Sequence, residues 1–122
     1  YAKPDAGQLI ISPSEEVLVE PHDAWADNET LAEGIERYQE FVTVPVKKIT
    51  ANWAGLRTFS SDRSLVIGPA IDNSSFFFLA GQGGYGFQTA PAASNLLKDL
   101  IIGGTSELDK VTLNNLLPNR FF

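Results

Sequence analysis

The sequence predicts an α+β fold, with an antiparallel or mixed sheet and two main helices. Two observations carry this. Two stretches place apolar residues at helical spacing, and several short aliphatic or aromatic runs of strand length are bounded by Gly, Pro, Ser and Asp. The 122 residues are 43% hydrophobic, enough for one ordinary core and too much for a disordered tail.

In chain order, Gln8–Ile11 and Glu16–Val19 are aliphatic runs separated by Ser12-Pro13-Ser14-Glu15, which reads as a hairpin with turn chemistry between its strands. Asp27 or Asn28 can cap a helix running through Val42, since Leu31, Ile35, Tyr38 and Val42 recur on one face and Glu29, Glu33, Glu36 and Glu40 face water. Pro45 marks its end, because the residue before a proline leaves the helical region. From Val46 the period becomes two, with Ile49, Ala51 and Trp53 on one face, as in a half-buried strand. Ser60–Arg63 forms a turn into a Leu65–Ile67 strand closed by Gly68-Pro69. Phe76–Leu79 is a continuous apolar run, expected to be buried on both faces. After Gly81–Gly86, Thr89 can cap a second helix entered through Ala90-Pro91, with Ala93, Leu96, Leu97, Leu100 and Ile101 as its buried stripe and Gly103-Gly104 as its stop. A short helical turn near Val111–Leu117 precedes the tail.

Fifteen acids against nine Lys and Arg give a net charge of −6, which repels phosphate backbones and anionic lipid, so neither nucleic acid nor a membrane surface is an expected partner. With no Cys and one His, disulfides, thiol catalysis and zinc-finger chemistry are excluded, and no metal site is expected. No span-length apolar run or signal-peptide pattern is present, and a cytoplasmic location is the default expectation. A chain without Met that opens at Tyr1 reads as a piece of something longer.

Gly81-Gln82-Gly83-Gly84-Tyr85-Gly86 satisfies G-x-G-x-x-G between a strand and a helix. No second apolar strand follows, and no acid at a strand end is placed to bind a ribose, so a dinucleotide-binding βαβ unit is rejected. What remains is backbone that can approach a flat ligand closely, beside a helix start whose N–H groups suit a negatively polarised edge.

These blocks carry a resemblance. Trp53-Ala54-Gly55-Leu56-Arg57, Asp62 with Leu65–Pro69, the strand into Gly81–Gly86, and Thr89-Ala90-Pro91-Ala92 with its helix resemble, in order and spacing, the C-terminal part of the FAD-dependent D-amino acid oxidase and glycine oxidase superfamily. The resemblance implies that residues 1–52 end a substrate domain and residues 53–122 cover flavin and substrate, the whole forming one compact unit as isolated. It implies that Arg57 binds a substrate carboxylate, Gly84 offers a backbone carbonyl to the substrate amine, and Gly83, Gly84, Tyr85, Gly86, Phe87, Gln88 and Thr89 contact the flavin. For Arg57 the alternative is a structural ion pair with Asp62 or another acid; for the loop it is a tight turn without ligand. Thr58 stands where the family usually has Pro, Gln82 where His is frequent, and Arg63-Ser64 where Gly-Leu is common; the last is expected to have no functional consequence.

The function implied is oxidation of an amino acid or related amine by hydride transfer to FAD, in the full-length protein. The isolated piece is expected to bind no FAD, to be inactive, and to self-associate through apolar surface. His22 reads as an exposed loop residue, and Trp25 and Trp53 as packing residues. The competing expectation is a free-standing, non-enzymatic α+β binding module.

Overall fold

Ala6 and Gly7 decide the first element. In the computed structural model, which describes residues 1–122, both adopt left-handed backbone, with φ of 46° and 79°. Two such residues make the short turn whose twist matches an antiparallel hairpin, and β1 (Ala2–Asp5) pairs with β2 (Gln8–Ile11) in the register Ala2↔Ile11 to Asp5↔Gln8. The expected hairpin is therefore corrected: Gln8–Ile11 pairs backwards, and Glu16–Val19 forms no strand, with Leu18 96% exposed. Once β2 has paired with β1, Ser14 turns left-handed at φ 58° and Pro13 packs against Gly34, so the chain leaves the hairpin for the helix.

That helix, α1, spans Asn28–Gln39 and is capped by Asp27, whose carboxylate accepts from the Thr30 amide at 2.8 Å and its hydroxyl at 3.0 Å. Those hydrogen bonds hold Asp27 below the usual carboxylate range. Leu31, Ile35 and Tyr38 are half-buried, Gly34 is fully buried, and the four glutamates are exposed, as the spacing predicts. The helix stops short of Val42. Phe41 donates to the Tyr38 carbonyl at 3.1 Å, tightening the last turn, and the Gln39 side chain accepts from the Val46 amide at 2.9 Å. The period-two run from Val46 to Trp53 forms no ladder, since no strand lies beside it to take its hydrogen bonds. Trp25 and Trp53 are 83% and 68% exposed, against the expected packing roles, whereas His22 is exposed as expected.

The chain divides into two compact units, Tyr1–Leu56 and Arg57–Phe122. In the second, β3 (Val66–Pro69) pairs antiparallel with β4 (Phe77–Ala80), from Val66↔Ala80 to Pro69↔Phe77. Both two-stranded sheets are thus antiparallel, and the fold is α+β. Helix α2 (Gly86–Ile102) lays Ala93 and Leu96 on Ile67, which is 1% exposed, and Leu65, Leu97, Leu100, Leu113 and Leu116 close around them. Helix α3 (Lys110–Asn114), capped by Asp109, and a 3-10 helix (Pro118–Phe121) follow. The segment between them reaches β3, where Ile67 donates to the Leu116 carbonyl at 2.8 Å. Gly68 makes that approach possible. At φ 140° it carries no Cβ where one would stand 2.8 Å from Leu117 Cδ2.

Three expectations for this unit are corrected. Phe78 and Leu79 are 37% and 38% exposed, because the sheet has only two strands and β4 is not covered on both faces. Ile101, expected in the buried stripe, is 56% exposed, lying off the arc set by Ala93, Leu96, Leu97 and Leu100. Thr89 is not the helix cap: α2 begins at Gly86 behind Tyr85, and the Thr89 hydroxyl donates back to the Tyr85 carbonyl at 2.8 Å, placing Pro91 inside the helix. The stop at Gly103 is as expected, left-handed at φ 70° with its amide on the Asp99 carbonyl. No helix is long and apolar enough to cross a membrane.

Candidate functional site

The glycine loop and the segment bearing Arg57 are one structure. The Gly83 amide donates to the Thr58 carbonyl at 2.9 Å, pinning the loop against residues 57–59. Gly83 is left-handed at φ 52°, and the Phe59 ring fills the space its Cβ would take. At Gly84 the neighbour is Arg57: a Cβ there would stand 3.1 Å from Nη1. The structure therefore brings together three residues singled out in the sequence, Arg57, Gly83 and Gly84. Gly81 (φ 70°) begins the bend, and Gln82 spans it, its side-chain amide donating to the Leu79 carbonyl at 3.1 Å and its backbone carbonyl accepting from Tyr85.

Phe59 belongs to this cluster and was not legible in the sequence. Its ring centroid lies 5.4 Å from the Arg57 guanidinium carbon and 5.5 Å from that of Arg63, in the range where a cation is drawn to an aromatic face. Both arginines are exposed, whereas Phe59 is half-buried. At Arg63, where the resemblance leads to glycine, the backbone is left-handed at φ 62°, a conformation that suits glycine. It closes the turn by donating its amide to the Ser60 carbonyl at 3.0 Å.

Asp62 is occupied elsewhere. Arg120 grips both its oxygens, Nε at 2.7 Å and Nη2 at 3.1 Å, and also donates to the carbonyls of Ser64, Leu116 and Leu117. With its side chain only 11% exposed, Arg120 ties the 60–64 turn to the segment after α3. Its fork, with donations from Ser64 N and the Ser60 hydroxyl, holds the Asp62 carboxyl far below its ordinary range. Both oxygens of Asp62 are thus engaged by Arg120.

The residues expected to meet a flavin, Gly83 to Thr89, run from the loop into the first turn of α2. Tyr85 offers no side-chain cap and the first turn contains no acid, so the leading amides keep their polarity toward an electron-rich edge. Phe87 is wholly exposed and Tyr85 51% exposed at the same end. A hollow of about 460 Å³ lies apart from these residues, between Val66, Ala70–Asp72, Phe78, Pro118, Phe121 and Phe122.

The chain is 27% identical over 116 residues to FAD-dependent oxidoreductase domain-containing protein 1 of Bos taurus, an alignment covering 91% of the chain and 23% of that protein. It is 30% identical over 109 residues to glycerol 3-phosphate dehydrogenase of Caloramator mitchellensis, covering 85% and 22% respectively. The chain spans less than a quarter of the length of these curated relatives. Residues 1–100 match the DAO family of FAD-dependent oxidoreductases, and the chain belongs to that family.

Proposed function

We propose that residues 53–122 cover flavin and substrate in a longer enzyme that oxidises an amino acid or related amine. The observation that supports this most is the guanidinium of Arg57 standing over Gly84. One group is a planar cationic fork suited to a carboxylate, and the other is exposed backbone beside it that can accept from an amine. A substrate bridging the two has its α-carbon held between them, and fixing that carbon is the main service the protein renders to a hydride transfer.

The cradle fits FAD in the one respect these residues can: glycine backbone with no side chain above Gly84 but Arg57, followed by the uncapped, acid-free start of α2. Gly83, Gly84, Tyr85, Gly86, Phe87, Gln88 and Thr89 would hold its ring. When bound, the flavin would supply the hydride acceptor for oxidation of the substrate amine to an imine. Arg57 keeps the carboxylate fixed through this step, and the α2 amides favour negative charge at its N-terminal end. If the amine arrives unprotonated, its nitrogen needs no side-chain base. Water then adds to the imine, giving the carbonyl product and the released amine.

A second reading follows from the relative named glycerol 3-phosphate dehydrogenase, in which an alcohol carbon is oxidised and Arg57 takes a phosphate instead of a carboxylate. Activity of the complete enzyme toward amino acids or toward glycerol 3-phosphate separates the two, and substitution tests the role of Arg57 common to both. Arg57→Leu should raise KM for amino-acid substrates by roughly 30-fold or more, the loss of about 2 kcal/mol from a charge-assisted pair, with a smaller change in kcat. An unchanged KM for every anionic substrate removes Arg57 from the binding site. On its own the 122-residue chain should neither retain FAD nor turn over.

A further inference from the structure

We propose that Arg120 is a positioning residue for the substrate site: through the 60–64 turn it fixes the segment on which Arg57 and the glycine loop are seated together. This rests on the reading of Arg57 and Gly84 as substrate ligands and adds the residue that sets their placement.

The glycine loop is met by successive residues of one segment. A Cβ on Gly84 would stand 3.1 Å from Arg57 Nη1, the Gly83 amide donates to the Thr58 carbonyl at 2.9 Å, and the Phe59 ring fills the space a Cβ on Gly83 would take. A Cβ on buried Gly81 would stand 3.5 Å from both the Ser60 nitrogen and the Ser64 oxygen. The course of residues 57–64 therefore sets the loop. Its far end is a turn containing left-handed Arg63, at φ 62°, a conformation that persists only where the surroundings over-determine it. Asp62 organises that turn, accepting from the Ser60 hydroxyl at 2.9 Å and the Ser64 amide at 3.1 Å. Arg120 in turn fixes Asp62, and all five of its guanidinium N–H donors are used. Three go to the turn, on both Asp62 oxygens and, at 3.0 Å, on the Ser64 carbonyl. Two go to the Leu116 and Leu117 carbonyls, in the segment that the Ile67 amide joins to β3. The turn is thus tied to the core by one planar fork, which a lysine, with three donors on a flexible stem, keeps in charge but not in geometry.

The experiment compares Arg120→Lys with the unsubstituted 122-residue chain by NMR, at a temperature where both are folded. The scalar coupling across the hydrogen bond from the Gly83 amide to the Thr58 carbonyl should be lost in the variant. The amide signals of Gly81 and Gly84 should move, while those of Ala93 and Leu96 in the core stay in place. A role in stability alone lowers the unfolding free energy and leaves that coupling as it was. Asp62→Asn, which leaves Arg120 its three carbonyl partners, should weaken the coupling in the same sense and decides the matter if Arg120→Lys does not fold. In the complete enzyme, Arg120→Lys should raise KM for amino-acid substrates by about ten-fold, less than Arg57→Leu, because the guanidinium of Arg57 is displaced and not removed. Loss of folded enzyme lowers the rate and leaves KM unchanged. A retained Gly83–Thr58 coupling overturns the proposal, as does a KM that Arg57→Leu raises and Arg120→Lys does not; in both cases the reading of Arg57 stands. If Arg57→Leu itself leaves KM unchanged, that reading fails and takes the positioning role with it.

Discussion

Gly83→Ala and Gly84→Ala look alike in sequence and should behave very differently. At Gly83 two costs add. Its φ of 52° is left-handed, which costs a residue with a Cβ about 1 kcal/mol, and that Cβ would overlap the Phe59 ring, forcing a rigid aromatic to move at about 1–3 kcal/mol more. The sum is about 2–4 kcal/mol, or roughly 10–20 °C in Tm for a domain of this size. Gly84 has no left-handed φ, and its new methyl would meet only the tip of Arg57 at 3.1 Å, a flexible and exposed group. Its loss should stay below about 1 kcal/mol, with the Arg57 guanidinium displaced. Urea unfolding followed by far-UV circular dichroism gives both values, α2 being the longest helix. Phe59→Ala supplies the decisive control. With the ring gone, Gly83→Ala should cost only its backbone part, so the double-mutant cycle shows a coupling of about 1–3 kcal/mol. No coupling, or equal losses at the two glycines, would refute the packing argument.

The other expectations concern the turn between Arg57 and β3. Because its native partners lower the Asp62 pKa, the ion pair contributes fully above the unfolded carboxylate value of about 4 and is lost progressively as pH falls below it. Tm measured from pH 6 to pH 2 should therefore fall less steeply in Asp62→Asn, from a lower starting value; the comparison isolates Asp62 from Asp27 and Asp109, which are lowered too. Arg63→Gly should leave unfolding free energy within about 1 kcal/mol, since relief of the left-handed strain offsets the lost ring contact and the looser unfolded chain. Arg63→Val, branched at Cβ, should lose about 2 kcal/mol in the same urea assay, and equal stabilities would show that the backbone there is not strained.

The parts legible in the sequence were those governed by local chemistry with one solution. Asp27 capping α1, Gly103 ending α2, the acid face of α1 and the α2 stripe through Leu100 follow from spacing and from groups that satisfy their own neighbours. The errors came where two local solutions compete. Ser12-Pro13-Ser14 offers turn chemistry as good as that of Ala6-Gly7, and only pairing with the unpromising Ala2-Lys3-Pro4-Asp5 strand settles which turn makes a hairpin. Pro91 suggested a helix start because proline favours the first turn, yet the Tyr85 carbonyl was already available to Thr89 one turn earlier. The run after Val46 shows that alternation supplies a face without supplying a partner. At the candidate site, Arg57, Gly83 and Gly84 were reached through the order of four sequence blocks. Phe59 carries no motif, and its part emerges only when Gly83 and two guanidinium groups are seen around one ring.

The grip of Arg120 on Asp62 bears on how this unit comes into being during synthesis. The bond joins residues 58 positions apart, and the Ile67 amide likewise waits for the carbonyl of Leu116. The turn that follows Arg57 and the inner edge of β3 are therefore completed by residues made dozens of codons later. Such distant pairing is slow, because the chain must close a long loop before the contact repays the lost entropy. While the ribosome still holds the residues after α2, the hairpin and the helix can form, but the 60–64 turn lacks its latch. Closure of the 60–64 turn, which touches the start of the glycine loop at Gly81, thus waits for residues made after α3.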